Sequence, residues 1–295
     1  MERVRDFQKI QGRHHPLVKK IRKMIRSSDM AADGEVLLET SRLIQDALDN
    51  GIPITRILIS DPPTVLASKT IKKISGRAQA MQTQVIKVPA DLLTSLTTTE
   101  NGQGVLAFAQ APDWTEESLF HSPNPLILIL EGVQDPGNLG SILRSADAFG
   151  AAGVLLTDGT VNPFNSKVIR AAAGSIFRIP ILRDFSAEEV VSLLKKRGLS
   201  LISTVSMGGM VPWNADWHGP VAVAFGSEGS GLSEDLKSSK RQITIPIARQ
   251  VESLNVATAA SLILYEANRQ RKISPTAPPH KQADEQIPQT ERRQH

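Results

Sequence analysis

The chain contains no cysteine, which excludes structural disulfides, thiol nucleophiles and thiolate zinc sites. Aromatic residues are scarce, with one Tyr, three Trp and eight Phe among 295 residues, so the core is expected to be aliphatic. No window reaches the roughly 18 apolar residues of a membrane span. The opening MERVRDFQKI is charged where a signal peptide would be apolar. A soluble cytoplasmic protein with no membrane association is therefore expected. His14 and His15 precede a basic helix, while His121 and His218 fall in loop-like segments. Their spacing matches no zinc arrangement, and no metal is expected.

Formal net charge is only +4, but it is unevenly placed. Residues 1–26 carry Arg3, Arg5, Lys9, Arg13, Lys19, Lys20, Arg22, Lys23 and Arg26 against Glu2 and Asp6. A second cluster comprises Lys69, Lys72, Lys73 and Arg77. Such patches capture RNA phosphates by releasing counterions, or they are solvated basic faces. Composition alone leaves both readings open.

Apolar spacing predicts an amphipathic helix over 16–25 and another over 36–48, ending near Asn50-Gly51. Short aliphatic segments at 56–59, 85–88 and 105–109 complete a small α/β pattern. Farther on, strand candidates fall at 126–130, 153–157, 176–180, 200–205, 221–225 and 243–247. Helix candidates lie at 139–149, 166–174, 187–196, 232–239 and 253–270. Alternation on this scale predicts an α/β fold with a mostly parallel sheet covered on both faces. The implied division is a basic extension (1–29), a small α/β domain (30–111), a Pro-containing linker (112–125), a larger α/β domain (126–270) and a tail (271–295). The tail is rich in Pro, Gln and charge, and is expected to be disordered.

Three loops after strands hold the residues suited to chemistry. The first, Asp135 to Arg144, brings a carboxamide, Asn138, and a guanidinium, Arg144, to a strand's carboxyl end, where parallel sheets bind ligands. It is neither a GxGxxG fingerprint nor a Walker loop. The second, Gly226 to Gly231, has three glycines in six residues, so backbone can approach a ligand closely; a plain tight turn is the alternative. The third places Ser253 and Asn255 ahead of the last helix, where each is also a credible helix cap. Glu228 fits either a ligand role or a carboxylate near a helix start. Arg144, on an otherwise small and apolar helix, points to a phosphate or oxyanion partner, with a surface ion pair as the alternative.

These loops resemble the three motifs of the SpoU/TrmH family of RNA 2′-O-ribose methyltransferases, within the SPOUT superfamily. The motifs read DPGNLGSILRSADAFG at 135–150, AFGSEGSGLS at 224–233 and ITIPIARQVESLNVATAASLILYE at 243–266. The middle segment NPFNSKVIRAAAGSIFRIP, 162–180, also looks familial. Residues 14–109 resemble, more weakly, the L30e-like substrate-binding domain of many members, through ETSRLIQDAL at 39–48 and NGQGVLAF at 101–108.

The resemblance implies a carboxyl-terminal trefoil knot, S-adenosylmethionine as cosubstrate, and a homodimer whose last helix, with Leu254, Ala257, Ser261, Leu262 and Tyr265, helps close each site. It implies catalytic roles for Asn138, Arg144, Glu228, Ser253 and Asn255, and cofactor contacts for Thr204, Gly226, Ile245, Leu254 and Asn255. RNA contacts are expected from Arg13, Lys19, Lys20, Arg22, Lys23, Arg144, Lys167 and Arg170. Two departures stand out: Ile247-Ala248-Arg249-Gln250 replaces a stretch that often has Met and Gly, and Ala257 replaces the usual Ser. The implied reaction is methyl transfer to a ribose 2′-hydroxyl of structured RNA. The long amino-terminal α/β half favours 23S ribosomal RNA over tRNA. A non-catalytic RNA-binding or ribosome-assembly protein is the other alternative. Because guanidinium is protonated at neutral pH, Arg144 is read as a phosphate clamp that also stabilises a developing alkoxide.

Overall fold

Aliphatic strands form two sheets that follow one another along the chain. The structure is a computed structural model and describes residues 8–10, 12–27, 30–31, 33–64, 67, 69, 72, 83–98, 104–248 and 250–272. The first sheet comprises β1 (Gln8–Lys9), β2 (Glu35–Leu38), β3 (Ile54–Asp61), β4 (Gln84–Pro89) and β5 (Val105–Gln110), in the order β1-β4-β3-β5-β2. β1, β4 and β3 run parallel, whereas β5 is antiparallel to β3 and β2. Alternate residues face opposite sides of this sheet. Leu37, Leu58, Ile86 and Phe108 form one core with Val18, Ile21 and Met24 of helix α1 (Pro16–Ser27). Val36, Leu38, Ile57 and Ala107 form the other with Leu43, Ile44 and Ala47 of α2 (Ser41–Asp49). A short helix, α3 (Ala90–Thr94), follows β4. Over 16–27, then, the basic segment is packed into the first domain by its apolar stripe. Residues 1–7 of that segment, Lys73 and Arg77 of the second basic cluster, and the tail beyond 272 lie outside the described residues.

The second sheet is entirely parallel. It contains β6 (Leu126–Leu130), β7 (Gly153–Thr157), β8 (Ile181–Phe185), β9 (Ser200–Thr204), β10 (Val221–Phe225) and β11 (Arg241–Ile243), in the order β11-β9-β10-β6-β7-β8. The central strands β6, β7 and β10 are buried on both faces, as their apolar runs require. A single helical turn, α4 (Glu116–Leu119), precedes β6 and buries Leu119. The remaining helices are α5 (Pro136–Ala148), α6 (Ser166–Ala172), α7 (Ala187–Arg197), α8 (Glu234–Lys237) and α9 (Val256–Lys272). From β6 the chain moves outward through β7 and β8, then returns to the other side at β9. β6 and β10 are therefore neighbours at the point where the winding reverses, the end of a parallel sheet at which ligands bind.

Several sequence expectations shift. Residues 36–48 are not one helix: Val36 to Leu38 pair with β5, and Thr40 starts α2 by accepting the Leu43 N–H at 3.2 Å. The run 176–180 is not a strand. Ala173 and Gly174 adopt left-handed conformations (φ 48° and 86°), and Ser175–Phe177 form a buried 3₁₀ turn before β8. A buried turn and a buried strand have the same apolar signature. The last strand is Arg241–Ile243 rather than 243–247, and the 232–239 helix contracts to Glu234–Lys237.

Candidate active site

A cavity of about 440 Å³ opens at the carboxyl ends of β9, β10 and β11. Its walls include Thr204, Gly226, Glu228, Ile245, Ser253 and Leu254, all expected at the site, whereas Asn255, also expected to contact the cofactor, is not on the wall. Thr204 is held by its own hydroxyl, which donates to the Ala224 carbonyl at 2.8 Å on the neighbouring strand. Gly226 has no space for a side chain: an added Cβ would collide with the backbone of Gly231 and Leu232. The Gly-rich loop thus folds back on itself, closed by the Gly231 N–H donating to the Ser227 carbonyl at 3.0 Å.

At the edge of this cavity three motif residues converge on one carboxylate oxygen. Asn138 Nδ2 donates to Glu228 Oε1 at 3.2 Å, Asn255 Nδ2 donates to the same atom at 2.9 Å, and the Val256 N–H approaches it at 3.4 Å. Asn255 Nδ2 also donates to Asn138 Oδ1 at 2.9 Å. Glu228 therefore ties the starts of α5 and α9 together. Its negative charge lies near the amino-terminal ends of both helices, a favourable position. Asn255 also caps α9, with Oδ1 accepting from the Ala257 and Thr258 N–H groups at 3.0 and 3.3 Å. Asn255 is the cap, and Ser253 lines the cavity instead.

The two long helices run side by side from this point. Ser145 and Ser261 share a hydroxyl hydrogen bond at 2.8 Å, and the Phe149 and Tyr265 rings meet edge to face with centroids 5.9 Å apart. Arg144 lies on α5 about 9 Å along the axis from Asn138, at 1.5 Å per residue. It is exposed, has no polar partner among the described residues, and is absent from the cavity wall.

Other contributors are not among the expected site residues. Asp135 caps α5 by accepting the Asn138 N–H at 2.8 Å, with Pro136 at the first helical position; the Asp-Pro-Gly start is a legible signal for this. Glu131 accepts the Ser233 N–H at 2.7 Å and so joins the end of β6 to the Gly-rich loop. Lys237 and Glu252 also line the cavity.

Residues 125–265 match the SpoU rRNA methylase family, and residues 15–107 match an MRM3-like substrate-binding domain. An uncharacterized tRNA/rRNA methyltransferase of Synechocystis sp. is 36% identical over 275 residues, covering 92% of this chain and 97% of the relative. The chain belongs to the SpoU family. A second member, the 23S rRNA (guanosine(2553)-2′-O)-methyltransferase RlmP of Bacillus subtilis, is 30% identical over 88% of this chain and 98% of its own length. The crystal structure of an AdoMet-bound rRNA methyltransferase from Sinorhizobium meliloti superposes with a TM-score of 0.78 at 28% identity, covering 89% of this chain and 98% of that one. This SpoU protein is an S-adenosylmethionine-dependent RNA methyltransferase. The cavity suits that cosubstrate in size, since small-molecule sites occupy about 300–1,000 Å³. Ile243, Ile245 and Leu254 offer apolar wall for a purine, while Glu228 and Glu252 offer negative charge to a sulfonium and an ammonium group.

The basic residues expected to meet RNA are not equivalent. Arg13, Lys19 and Lys23 are exposed, Arg22 is half-buried, and Lys167 is exposed on α6. Lys20 instead pairs with Asp33 at 2.7 Å and Glu35 at 2.6 Å, its ammonium 5.3 Å from the Phe108 ring centre. Burial opposes the Lys20 charge, but its hydrogen bonds to Asp33 and Glu35 outweigh this and raise its pKa. Arg170 pairs with Glu39 at 3.2 Å.

Proposed function

We propose that this protein transfers a methyl group to a ribose 2′-hydroxyl of 23S ribosomal RNA, with S-adenosylmethionine held by Thr204, Gly226, Ile245 and Leu254 of the cavity wall, and Asn255 acting on that wall through Glu228. The observation that carries this reading is the Asn138–Glu228–Asn255 cluster beside the cavity. It joins all three motifs at the mouth through which an RNA ribose would approach.

Bound S-adenosylmethionine supplies an electrophilic methyl. The protein's task is to hold a weakly acidic hydroxyl in line with that methyl. The oxygen–carbon bond would then form as the sulfur–carbon bond breaks, with the thioether as leaving group and the hydroxyl proton passing to solvent water. Arg144 grips the target phosphate and stabilises the oxygen as charge develops on it. Asn138, fixed by Glu228 and Asn255, orients the ribose. Glu228 holds the loops in register, and Ser253 shapes the wall. The chain around 245–256 passes through a preceding loop as a trefoil knot, which gives the cavity a rigid floor. Residues 30–111, with Arg13, Lys19, Arg22 and Lys23 beside them, bind the RNA. Two copies assemble through α5 and α9, where Leu262 and Tyr265 remain 47% and 56% exposed in the single chain. The partner completes the site around Arg144, which is exposed and does not line the cavity of its own chain.

The test is transfer of labelled methyl to unmethylated 23S rRNA and to tRNA, followed by digestion and mass spectrometry of nucleosides. A 2′-O-methylnucleoside from 23S rRNA is expected. A methylated base, or equal transfer to tRNA, overturns the assignment. Light scattering at micromolar and lower concentration tests the assembly, and a fully active monomer would refute the shared site.

A further inference from the structure

A buried carboxylate of the first domain is neutralised by a cation of the second. Glu39, directly after β2, has a side chain only 1% exposed. It accepts from the Thr98 N–H at 2.8 Å, from Thr98 Oγ1 at 3.0 Å and from Arg170 Nη1 at 3.2 Å. Arg170 Nη1 also donates to Thr98 Oγ1. A charge so thoroughly removed from water needs a partner, and removing the partner is strongly destabilising. Here that partner comes from 131 residues away.

The contact continues on both sides. Gly174, just past α6, has φ +86°, and a Cβ there would stand 2.6 Å from Asp46 Oδ2 of α2. In the other direction α6 packs tightly on α5. A Cβ on Gly140 would overlap Ala171 and press on the Val168 carbonyl at 2.8 Å. An unbroken line of contact therefore runs from Glu39 through Arg170 and α6 to Gly140, two residues from Asn138.

We propose that Arg170 and Glu39 are positioning residues that pin the first domain against the helix carrying Asn138 and Arg144. RNA held by the first domain then reaches the cavity in one orientation. This rests on the methyltransferase reading above. Its physical content is effective concentration: two linked binding surfaces reinforce each other only when their geometry suits both contacts at once. The Arg170 guanidinium is engaged by Glu39 and Thr98, so it acts through the interface instead of as a phosphate contact.

The absence of cysteine allows site-specific spin labels in the full chain at Ala90→Cys and Ser192→Cys, both exposed positions, one in each domain. Arg170→Ala should broaden the interlabel distance distribution. On 23S rRNA transcript it should raise KM about tenfold while kcat changes less than about twofold, and S-adenosylmethionine affinity should not change. Arg170→Lys should restore much of both the narrow distribution and the KM. Glu39→Gln, which keeps the shape and removes the charge, provides a milder variant should Arg170→Ala fold poorly, and it should broaden the distances in the same way. An unchanged distribution in both variants overturns the pin. So does a fall of about one in the salt slope of RNA binding without broadening, the mark of a lost phosphate contact. If the wild-type protein transferred no methyl to ribose, the function reading would fail, while the spin-label widths would still decide the pin.

Discussion

Asn255 Nδ2 donates to Asn138 Oδ1 at 2.9 Å, joining residues 117 positions apart in the chain. Both belong to the starts of helices, and both also donate to Glu228 Oε1. One carboxylate oxygen thus fixes the relative placement of α5, α9 and the Gly-rich loop, and the outcomes of several substitutions follow from that.

Asn255→Ala removes the α9 cap and two of the bonds in the cluster. The cap alone is worth about 0.5–2 kcal/mol, so thermal stability should fall and both S-adenosylmethionine affinity and turnover should weaken. Asn255→Asp separates the two roles. It retains the capping oxygen but loses the Nδ2 donor and sets a second negative charge beside Glu228. Calorimetry should find helix stability largely kept in Asn255→Asp and the cosubstrate site still damaged. If both properties were intact, the cluster would have no part in the site.

Arg144→Ala should leave the cavity untouched, because Arg144 does not line it. S-adenosylmethionine affinity is expected to stay within about threefold, roughly 0.6 kcal/mol. Single-turnover transfer should drop about 10²–10³-fold, as when a donor to developing charge is removed. A variant that lost cosubstrate affinity but turned over normally at saturation would reverse this division of labour.

Arg271 closes the end of α9. Its guanidinium donates to the carbonyls of Trp217 at 2.7 Å, Gly219 at 2.8 Å and Asn124 at 2.7 Å, and burial lowers its pKa. Arg271→Ala leaves all three carbonyls without this donor. Charged hydrogen bonds contribute about 1.5–3 kcal/mol each when lost singly, so a fall of about 2–3 kcal/mol in unfolding free energy is expected. For the same reason a chain ended at residue 270 should be markedly less stable than one ended at 272. Denaturant titration of the two truncations checks this, and equal midpoints would show that the guanidinium is not a clamp.

The Lys20–Asp33 pair predicts a pH window. Lys20 is raised above its ordinary 10.5, its hydrogen bonds overcoming burial, and the hydrogen bond from Lys20 holds Asp33 below 3.8. A raised cationic pKa contributes stability that is complete below the unfolded value and lost as pH climbs through the folded one. A lowered carboxyl pKa contributes stability complete above its unfolded value and lost as pH falls through the folded one. The stability difference between wild type and Lys20→Met should therefore be flat between about pH 5 and 9. It should shrink beyond either edge. A difference that already collapsed near neutrality would mean that another group titrates there.

Local order determined much of what could be read from the sequence. The strands at 126–130 and 221–225 were visible because a strand buried on both faces must be apolar throughout. The loops after them stood out because close backbone approach requires Gly, and a helix start favours Asp-Pro. Two of the family motifs lie on those same loops, and the resemblance named Thr204, Gly226, Ile245, Ser253 and Leu254 of the cavity wall without coordinates, but not Lys237 or Glu252. Tertiary structure decided what one segment does to another. Val36 to Leu38 fits a helix as readily as a strand until β5 supplies its hydrogen bonds. Ser253 and Asn255 were equivalent as caps until Glu228 drew Asn255 to the start of α9. Lys20 and Arg170 read like any other surface cations, because nothing adjacent in sequence reveals Asp33, Glu35 or Glu39 beside them. Charge type is a property of the residue, but whether that charge faces solvent or a buried carboxylate depends on how the sheets and helices pack.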